Sequence, residues 1–397
     1  MIDFSDAIKI VLNTARDFGT ETVSLEQSIG RVLRENWYAD RDMPPYDRVT
    51  MDGIALNSKG ASGNDQFSIE GIGPAGEEQK VLSDPANCIE IMTGAILPKG
   101  CDTVVRYEDV DIQNGVAKVR TKILPKKNVH WKGEDRKVGE LVVPELTKIS
   151  AAEIGVGATL GKTKVEVSRF PKAIIISTGD ELVEIDQQPL PHQIRKSNVY
   201  RMKASLEHLG VSCETAHWLD EKEDIEKELK GVLKNFELII LSGGVSKGKF
   251  DFLPDALAAC GVEKHFHRVA QRPGKPFWFG THPDGATVFA LPGNPISSFM
   301  CLHIYVFDWL RKSLGLSVQE RPLARLTKSV DFKPDLTLFM EVNTSFDEEG
   351  SLLAEPRRGH GSGDLANLVR GDGFMQIPRG KDHFEKGELY PVYFYRD

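Results

Sequence analysis

The chain has 397 residues, and at roughly 150 residues per domain this length predicts two or three domains. Hydrophobic residues make up 40% and charged residues 27%, which is typical of globular proteins and excludes the disordered, collagenous and coiled-coil classes. The formal net charge of -8 argues against a general nucleic-acid or anionic-membrane binder, because such proteins need a basic surface. This charge is compatible with a local basic pocket.

The cysteines and the N-terminal segment indicate the compartment. The five cysteines are widely spaced and form no Cys-X-X-Cys pair or zinc-type cluster, so we expect reduced thiols. The N-terminal segment carries Asp3, Asp6 and Lys9 and no apolar stretch of the signal-peptide type. No run approaches the ~18 apolar residues of a membrane span. We therefore expect a cytoplasmic, multidomain protein with no membrane or nucleic-acid partner.

Helical spacing marks the first part of the chain. Apolar residues repeat in this way from Phe4 to Ala15, and Ser5 stands where an N-cap accepts backbone amide bonds. A second short helix is predicted from Ser24 to Leu33. The sequence therefore begins with a helical region.

The next part of the chain is strand-like. Prolines at 44 and 45 exclude helix and mark a domain boundary. Asn114 and Gly115 stand between two alternating runs, as a type I′ hairpin turn requires. Ser150 and Glu153 then form a capping box before a short, glycine-interrupted helix, which we expect to pack on the N-terminal helices.

Short apolar strands alternate with helical segments from about residue 170. The strands are 173–177, 211–219 and 237–241, and the helical segments are 197–209, 222–235 and 251–260. This alternation predicts βαβ units and a mostly parallel sheet. After Leu310 five strand-like segments follow, and they predict a C-terminal β barrel or sandwich of about 75 residues.

Three polar or glycine-rich loops directly follow strands of the α/β region. They are STGDEL (177–182), SGGVSKGKFD (242–251) and LPGNPIS (291–297). In an open parallel sheet such loops meet at the carboxyl edge, where ligands bind against helix N-termini and free backbone amides. The sequence therefore predicts an anion pocket at this edge.

The middle loop satisfies only part of the P-loop motif. Gly243, Gly248 and Lys249 match its first part, but Phe250 replaces the hydroxyl residue that binds magnesium in nucleotide hydrolases. A kinase or ATPase is therefore disfavoured. Carboxylates near the strand ends instead supply the hard oxygen ligands that magnesium prefers: Asp180, Glu181, Asp220 and Asp251.

Two neighbouring cations indicate where an anion binds. Arg272 and Lys275 flank a Pro-Gly turn, and arginine suits forked recognition of oxyanions. His265 and His267 alternate on one strand face, but no third ligand of matching spacing supports a transition-metal site. The cation pair favours phosphate or oxyanion capture.

Eight motifs, in order along nearly the whole chain, resemble the molybdopterin molybdenumtransferase family, MoeA and the gephyrin E domain. They are MDG (51–53), TGAILPKGCDTVV (93–105), KGEDRKVGE (132–140), STGDEL, SGGVSKGKFD, RPGKP, LPGNP and HGSGDL (360–365). The resemblance implies a multidomain α/β and β fold. Its parts are an elongated N-terminal helical region (1–40 and 138–168), an inserted β domain (41–137), a central MogA-like α/β domain (169–318) and a C-terminal β barrel (319–397).

The same resemblance implies an enzyme that inserts molybdenum from molybdate into adenylylated molybdopterin and releases AMP, with Mg²⁺ assisting. It assigns catalysis to Asp52, Asp135, Glu181 and Asp251, and metal binding to Glu181, Asp220 and Asp251. It assigns substrate contacts to Thr93, Asp180, Gly243, Gly244, Ser246 and Gly248. It assigns the anion pocket, where molybdate binds, to Arg272, Lys275, Pro292, Asn294, Pro295, Ser297 and Ser362.

The chain departs from the family pattern at several positions. Residues 48–50 read Arg-Val-Thr where the family commonly has Asn-Ser-Ala, and His130 and Arg272 replace an arginine and a lysine. Met340 stands where the family often places an arginine aimed at molybdate, and Arg357 and Arg358 are the candidate substitutes. Loss of a charge-assisted bond weakens anion binding by about 1.5 to 3 kcal/mol.

The resemblance also bears on partners. It implies a homodimer whose site lies between subunits, which explains why Asp52 and Asp135 are far along the chain from Asp251. Molybdopterin adenylyltransferase is a candidate partner. The alternative function is a divergent paralogue that binds molybdopterin or its product without turnover, as a carrier or scaffold. Tungstate is an alternative to molybdate because the two oxyanions have nearly the same size and charge.

Overall fold

The computed structural model describes residues 1–219, 222–245, 252–357, 359, 361 and 363–396. The chain divides into two compact units. The first comprises Met1–Arg34, Lys148–Ser150 and Glu166–Asp397, and the second comprises Glu35–Thr147 and Ala151–Val165. The four-domain division predicted from the sequence stays a prediction. Within the described ranges, every helix is too short or too polar to cross a membrane.

The N-terminal segment of the first unit contains helix α1 (Phe4–Asn13), strand β1 (Thr20–Ser24) and a 3-10 helix (Glu26–Ser28). The first predicted helix is confirmed, although its N-cap residue is Asp3 and not Ser5. The predicted helix from Ser24 to Leu33 is wrong. The β-branched residues before it favour a strand, and Gly30 adopts a φ of 77°, which a continuing helix excludes.

The second unit is built mainly from short strands. They are β2 (Trp37–Tyr38), β3 (Arg48–Val49), β4 (Gly53–Leu56), β5 (Gln66–Gly73), β6 (Cys88–Ile91), β7 (Thr103–Arg106), β8 (Val110–Gln113), β9 (Val116–Val119), β10 (Val129–His130) and β11 (Leu141–Val143), followed by helix α2 (Ala151–Thr159). Six of them form one sheet in the order β7-β4-β6-β5-β9-β8. The predicted hairpin joins β8 to β9, where Asn114 and Gly115 have φ values of 51° and 77°.

Both faces of strand β4 are buried. Ile54 and Leu56 pack in one apolar cluster with Phe67, whereas Ala55 packs in another with Val104. Alternate side chains of a strand point to opposite faces, so this division shows that the sheet is covered on both sides. The strand holds the backbone that follows Asp52 in a fixed position.

The α/β part follows in chain order and lies in the first unit, except for Lys164 and Val165 at the start of its first strand. Its elements are β12 (Lys164–Ser168), β13 (Ala173–Thr178), β14 (Leu182–Val183), β15 (Ile194–Arg195), α3 (Asn198–His208), β16 (Cys213–Trp218), α4 (Lys222–Asn235), β17 (Leu238–Ser242), α5 (Leu253–Ala259), β18 (Glu263–His267), β19 (Gln271–Arg272), β20 (Trp278–Thr281), β21 (Thr287–Leu291), α6 (Pro295–Cys301) and α7 (Phe307–Ser313). The central sheet has the order β16-β13-β17-β21-β20-β18. Its first four strands pair in parallel, and β20 pairs antiparallel with both β21 and β18, so five of the six strands run in one direction and the predicted mostly parallel sheet is confirmed.

Helices cover both faces of this sheet. Ile175 packs in the apolar cluster that includes Met202 of α3, whereas Ile174 and Ile176 pack in the cluster that includes Leu229 of α4. Buried strands of a parallel sheet are apolar on both faces, which explains the continuous run of isoleucines in the sequence. The strands β13, β17 and β21 therefore end at one shared edge.

One nearly continuous helix follows the third of these strands. It consists of α6, a π-helical segment (Leu302–Val306) and α7. Fully buried Tyr305 and Trp309 pack in the same cluster as Phe4 of α1. This helix connects the edge of the sheet to the last part of the chain.

The C-terminal strands form a closed barrel. They are β22 (Leu323–Leu326), β23 (Val330–Asp331), β24 (Thr337–Phe346), β25 (Leu352–Pro356), β26 (Gly373–Ile377), β27 (His383–Phe384) and β28 (Leu389–Phe394). Pairing runs β24-β25-β22-β28-β26 and returns to β24, so the main sheet has no free edge in this circuit. The barrel, and not the sandwich, is thus the correct form of the prediction. Leu326, Val342 and Val392 fill its interior.

Candidate functional site

Three loops meet at the carboxyl edge of the parallel sheet, as the sequence predicts. They enclose a cavity of about 690 Å³, here called the carboxyl-edge cavity. Its lining includes Ser177, Thr178, Gly179 and Glu181 at and after the end of β13, Ser242, Gly243 and Gly244 at and after the end of β17, and Pro292, Gly293, Asn294 and Pro295 after β21. Predicted residues from all three loops therefore share one cavity.

Gly243 lets two of these loops approach closely. Its φ is 107°, and a Cβ atom there would lie 2.8 Å from Thr178 Oγ1 and 2.9 Å from the Thr178 carbonyl oxygen. The site therefore excludes larger residues. Thr178 Oγ1 is buried and has no hydrogen-bond partner in the described part of the chain. It is an available hydrogen-bonding group in the wall of the carboxyl-edge cavity.

Asn198 and Arg201 of α3 hold two of the loops together. The Asn198 amide donates to Ser242 Oγ at 3.0 Å and to the Gly293 carbonyl at 2.7 Å. Arg201 donates to Asn198 Oδ1 at 3.0 Å and to the Pro295 carbonyl at 2.8 Å. Sequence reasoning missed both residues. The available signal was an asparagine in the first turn of a helix, which a helix cap also explains.

The acidic residues of this region are only partly described. Glu181 is exposed and lines the carboxyl-edge cavity, and its carboxylate lies over Gly179. Asp180 is also exposed. Asp220, Ser246, Gly248, Asp251, Arg358 and Ser362 lie outside the described residues. Among the residues that are described, no group of three His, Cys, Asp or Glu side chains is arranged to hold a metal ion. Glu181 supplies one hard oxygen ligand of the kind that magnesium prefers.

A second cavity, of about 980 Å³, adjoins the first and is here called the barrel-side cavity. Its lining includes Arg272, Lys275, Pro292, Asn294 and Ser297 of the predicted anion pocket, together with Met340, Glu341 and Arg357 from the barrel. Pro276, Pro292 and Asn294 line both cavities, so the two share a wall. Arg272 and Lys275 are exposed there.

The barrel brings Arg357 to the same cavity as Met340. The Arg357 amide donates to the Glu341 carbonyl at 2.9 Å, and its guanidinium donates to Asn343 Oδ1. The Nε atom of Arg357 is buried and has no partner in the described residues. Burial raises the pKa of the Glu341 carboxyl, which favours its neutral form.

Two predicted residues of the second unit are in contact. The backbone N–H of Thr93 donates to Asp52 Oδ1 at 2.6 Å. Hydrogen bonds from Thr93 hold the pKa of the Asp52 carboxyl below its usual value, so Asp52 is ionised at neutral pH. The carboxylate is exposed.

Two departures from the family pattern are bonded to each other. His130 Nε2 lies 2.9 Å from Asp135 Oδ1, and His130 Nδ1 lies 3.1 Å from an Arg48 guanidinium nitrogen. His130, which replaces the common arginine, thus lies between the Asp135 carboxylate and the Arg48 guanidinium. The positive charge of Arg48 reaches Asp135 only through the histidine ring. Sequence reasoning did not connect these positions because they are far apart in the chain.

Comparison with known proteins decides the family. A "Molybdopterin molybdenumtransferase" from Synechocystis sp. is 40% identical over 402 residues, covering 99% of this chain and 100% of the relative. The chain belongs to the molybdopterin molybdenumtransferase family. A protein of the same name from Staphylococcus epidermidis is 29% identical, covering 98% of this chain and 95% of the relative.

Family profiles match consecutive parts of this molybdopterin molybdenumtransferase family member. The MoeA N-terminal region (domain I and II) matches residues 2–161, the probable molybdopterin binding domain matches 174–312, and the MoeA C-terminal region (domain IV) matches 323–395. A crystal structure of the molybdopterin biosynthesis MoeA protein from Pyrococcus horikosii has a TM-score of 0.83 at 28% identity, covering 100% of both chains. The predicted MoeA-like multidomain fold with a C-terminal barrel is confirmed. The elongated, helical character of the N-terminal region stays a prediction.

Proposed function

We propose that this protein is a molybdenum insertase, which transfers molybdenum from molybdate to adenylylated molybdopterin and releases AMP in molybdenum cofactor biosynthesis. One observation carries the proposal. Two cavities adjoin at Pro292 and Asn294, one at the carboxyl ends of parallel strands and the other beside Arg272 and Lys275. The first suits a phosphorylated ligand and the second an oxyanion.

The phosphate groups of the pterin substrate are assigned to the carboxyl-edge cavity. The glycine backbone at 243–244 allows close approach of the ligand, and the buried Thr178 hydroxyl is available for a hydrogen bond. Asp180, Asn294 and Pro295 complete the proposed contacts on this side, with Ser246 and Gly248 of the same glycine-rich loop. Thr93 is assigned to the same ligand from its motif.

Molybdate is assigned to the barrel-side cavity as a substrate. Arg272 and Lys275 supply positive charge, and Ser297 supplies a hydroxyl in the same lining. Arg357 supplies the positive charge that the family often has at the position of Met340, because both residues line this cavity. Ser362 is assigned to the pocket from its motif. The residues shared by the two cavities support a position of molybdate next to the dithiolene of the pterin.

The chemical step is attack of water on the phosphoanhydride link between the pterin phosphate and AMP. The water oxygen bonds to the phosphorus of the pterin phosphate, and the bond from this phosphorus to the bridging oxygen breaks. AMP leaves with the bridging oxygen, and the pterin keeps a terminal phosphate. Asp52, Asp135, Glu181 and Asp251 are assigned to position the water and accept its proton. Glu181, Asp220 and Asp251 would hold Mg²⁺, which supplies neutralisation of the phosphate charge when bound.

The proposal includes a cytoplasmic homodimer in which Asp52 and Asp135 are contributed by the partner of the subunit that contributes Glu181. Molybdopterin adenylyltransferase is the proposed supplier of the substrate. The non-catalytic carrier is not favoured, because the full-length relatives are named as transferases. Tungstate stays the alternative oxyanion for the same cavity, because its size and charge are nearly those of molybdate.

The test is AMP release from adenylylated molybdopterin in the presence of molybdate and Mg²⁺. We expect turnover by the wild type and its loss on chelation of Mg²⁺, in Glu181→Gln and in Asp251→Ala. Glu214→Gln, an exposed carboxylate on β16, is the matched control and keeps its activity. No AMP release by the wild type, or full activity in both site variants, would contradict the proposal. Tight substrate binding without AMP release would support the carrier instead.

A further inference from the structure

A third cavity, of about 780 Å³, lies in the first unit and shares none of its lining residues with the two described above. It lies among the end of α3, the helical run from α6 to α7 and the last barrel strand, β28. Its volume is within the range of about 300 to 1,000 Å³ that is common for small-molecule sites. No residue assigned to the proposed reaction lines it.

Buried positive charge exceeds buried negative charge in this cavity. Four half-buried arginines line it, Arg31, Arg201, Arg311 and Arg321, against one buried carboxylate of the lining, Asp308. Asp308 bonds to Arg321, and Arg31 is paired with Glu21 outside the lining. The other acid of the lining, Glu207, is exposed and lies 3.7 Å from Lys203. Exposed Lys148 and Arg396 add further positive charge to the lining, in a chain whose formal net charge is -8.

Several buried nitrogen atoms in the wall of this cavity have no hydrogen-bond partner among the described residues. The Nε and one terminal nitrogen of Arg201, the Nε of Arg311 and the Nε2 of His303 are buried without hydrogen-bond partners in the described residues. Burial lowers the pKa of Arg201 to about 10, and the hydrogen-bond acceptors of its other terminal nitrogen, on Asn198, Pro295 and Ser298, are all neutral. Burial, assisted by the charges of Arg201 and Arg321, lowers the pKa of His303 to about 3. Charge removed from water without a partner is unfavourable, and a bound anion relieves this cost.

Aromatic rings stand beside these cations. His303 lies in the π-helical segment, edge-on to Phe299 at 4.3 Å and to Phe307 at 4.6 Å between ring centroids. Arg201 lies 4.8 Å from the ring centre of Phe299, and Arg321 lies 4.5 Å from that of Tyr393. Single π-helical turns frequently occur at functional sites. Cations next to aromatic faces suit a ligand with both a phosphate group and a flat ring.

We propose that this cavity is a second anion site, which binds a phosphate-bearing ligand of mononucleotide size. Arg311 and Arg321 contact the phosphate, Lys148 attracts it from the rim, and the ring of the ligand packs on the aromatic side chains around His303. The site is separate from the proposed catalytic cavities, so its existence does not depend on the insertase reaction.

The test is calorimetric titration of the full chain with AMP, repeated in the presence of inorganic phosphate as a competitor. Arg311→Gln and the rim variant Lys148→Gln are expected to weaken one class of AMP sites, Arg311→Gln by about tenfold. Lys312→Gln is the matched control, since Lys312 is the exposed neighbour on the same helix and does not line the cavity. Thr178→Val, which alters the carboxyl-edge cavity, leaves this class unchanged.

The proposal stands if phosphate competes with AMP and the two cavity variants, but not the control, lose affinity. It is overturned if AMP does not bind, or if every AMP site of the wild type persists unchanged in both Arg311→Gln and Lys148→Gln. Because Lys148 is exposed, its variant retains the fold and decides the matter if Arg311→Gln does not fold. A failure of AMP release in the catalytic assay leaves this result unaffected.

Discussion

The side-chain amide of Asn198 donates a hydrogen bond to the Gly293 carbonyl at 2.7 Å and so ties helix α3 to the loop after β21. Its second bond, to Ser242 at 3.0 Å, reaches the loop after β17. We expect Asn198→Ala to lower the free energy of unfolding by about 1 to 3 kcal/mol. The same change is expected to lower kcat/KM for AMP release by about tenfold or more, because both loops line the carboxyl-edge cavity.

The matched control for this variant is Asn235→Ala. Asn235 also donates a side-chain bond of 2.9 Å to a backbone carbonyl, that of Gly231, but it is exposed at the end of α4. Chemical denaturation and steady-state kinetics on both variants separate the loop effect from the loss of a hydrogen bond. Equal activities in the two variants would show that Asn198 has no special part in the site.

Gly243 is expected to tolerate no side chain. In Gly243→Ala the new Cβ would meet the Thr178 carbonyl oxygen at 2.9 Å, at a φ of 107° that alanine rarely adopts. We therefore expect a lower melting temperature and loss of substrate binding in the carboxyl-edge cavity. Gly231→Ala is the control, because Gly231 lies in α4 with open space around its Cβ position, and alanine stabilises a helix there by up to about 1 kcal/mol. Thermal melts that rank the two variants in the opposite order would contradict this account.

Arg357 is expected to determine the affinity for molybdate. Removing its charge in Arg357→Gln should raise the KM for molybdate by about tenfold or more while kcat changes little, since a charge-assisted bond contributes about 1.5 to 3 kcal/mol. Arg325→Gln is the control, because Arg325 is an exposed barrel arginine that does not line the barrel-side cavity. An unchanged KM for molybdate in Arg357→Gln would show that Arg357 does not replace the cation that the family places at position 340.

His303 is expected to make stability depend on pH. Its folded-state pKa is about 3 against an ordinary value of 6.5, so the unfolded chain binds the proton more readily. Stability is therefore fully present above pH 6.5 and is lost as the pH falls toward 3. This one group should cost about 2 kcal/mol between pH 8 and pH 5. Chemical denaturation at both pH values, without phosphate, should show that the free energy of unfolding of His303→Leu changes less with pH than that of the wild type, by this amount. An equal change in the two proteins would contradict the role given to His303.

The arrangement of the α/β part was predictable because its signals are local and agree with each other. The isoleucine run at 173–177 and the helical segment at 222–235 each appear in the structure within one residue of the prediction. The hairpin at Asn114 and Gly115 was equally clear, since both residues tolerate positive φ. The helix predicted from Ser24 failed because apolar spacing alone does not separate a short turn from a helix.

The two adjoining cavities were only partly predictable. Motifs indicated that loops after strands meet, and the sheet register brings Ser177, Ser242 and Leu291 into line. Nothing in the sequence reports that Arg357 and Met340 line one cavity, because the barrel closure sets that relation. The bonds of Asn198 and of the Arg48–His130–Asp135 series likewise depend on residues far apart in the chain.

The central claim is that AMP release and molybdenum insertion belong to one reaction. The most direct measurement is a single-turnover experiment with adenylylated molybdopterin, molybdate and Mg²⁺, in which AMP and pterin-bound molybdenum are quantified together. The account predicts that AMP and incorporated molybdenum appear in equal amounts and that Lys275→Gln lowers both. AMP release that proceeds without any molybdenum incorporation, or incorporation without AMP, would contradict it.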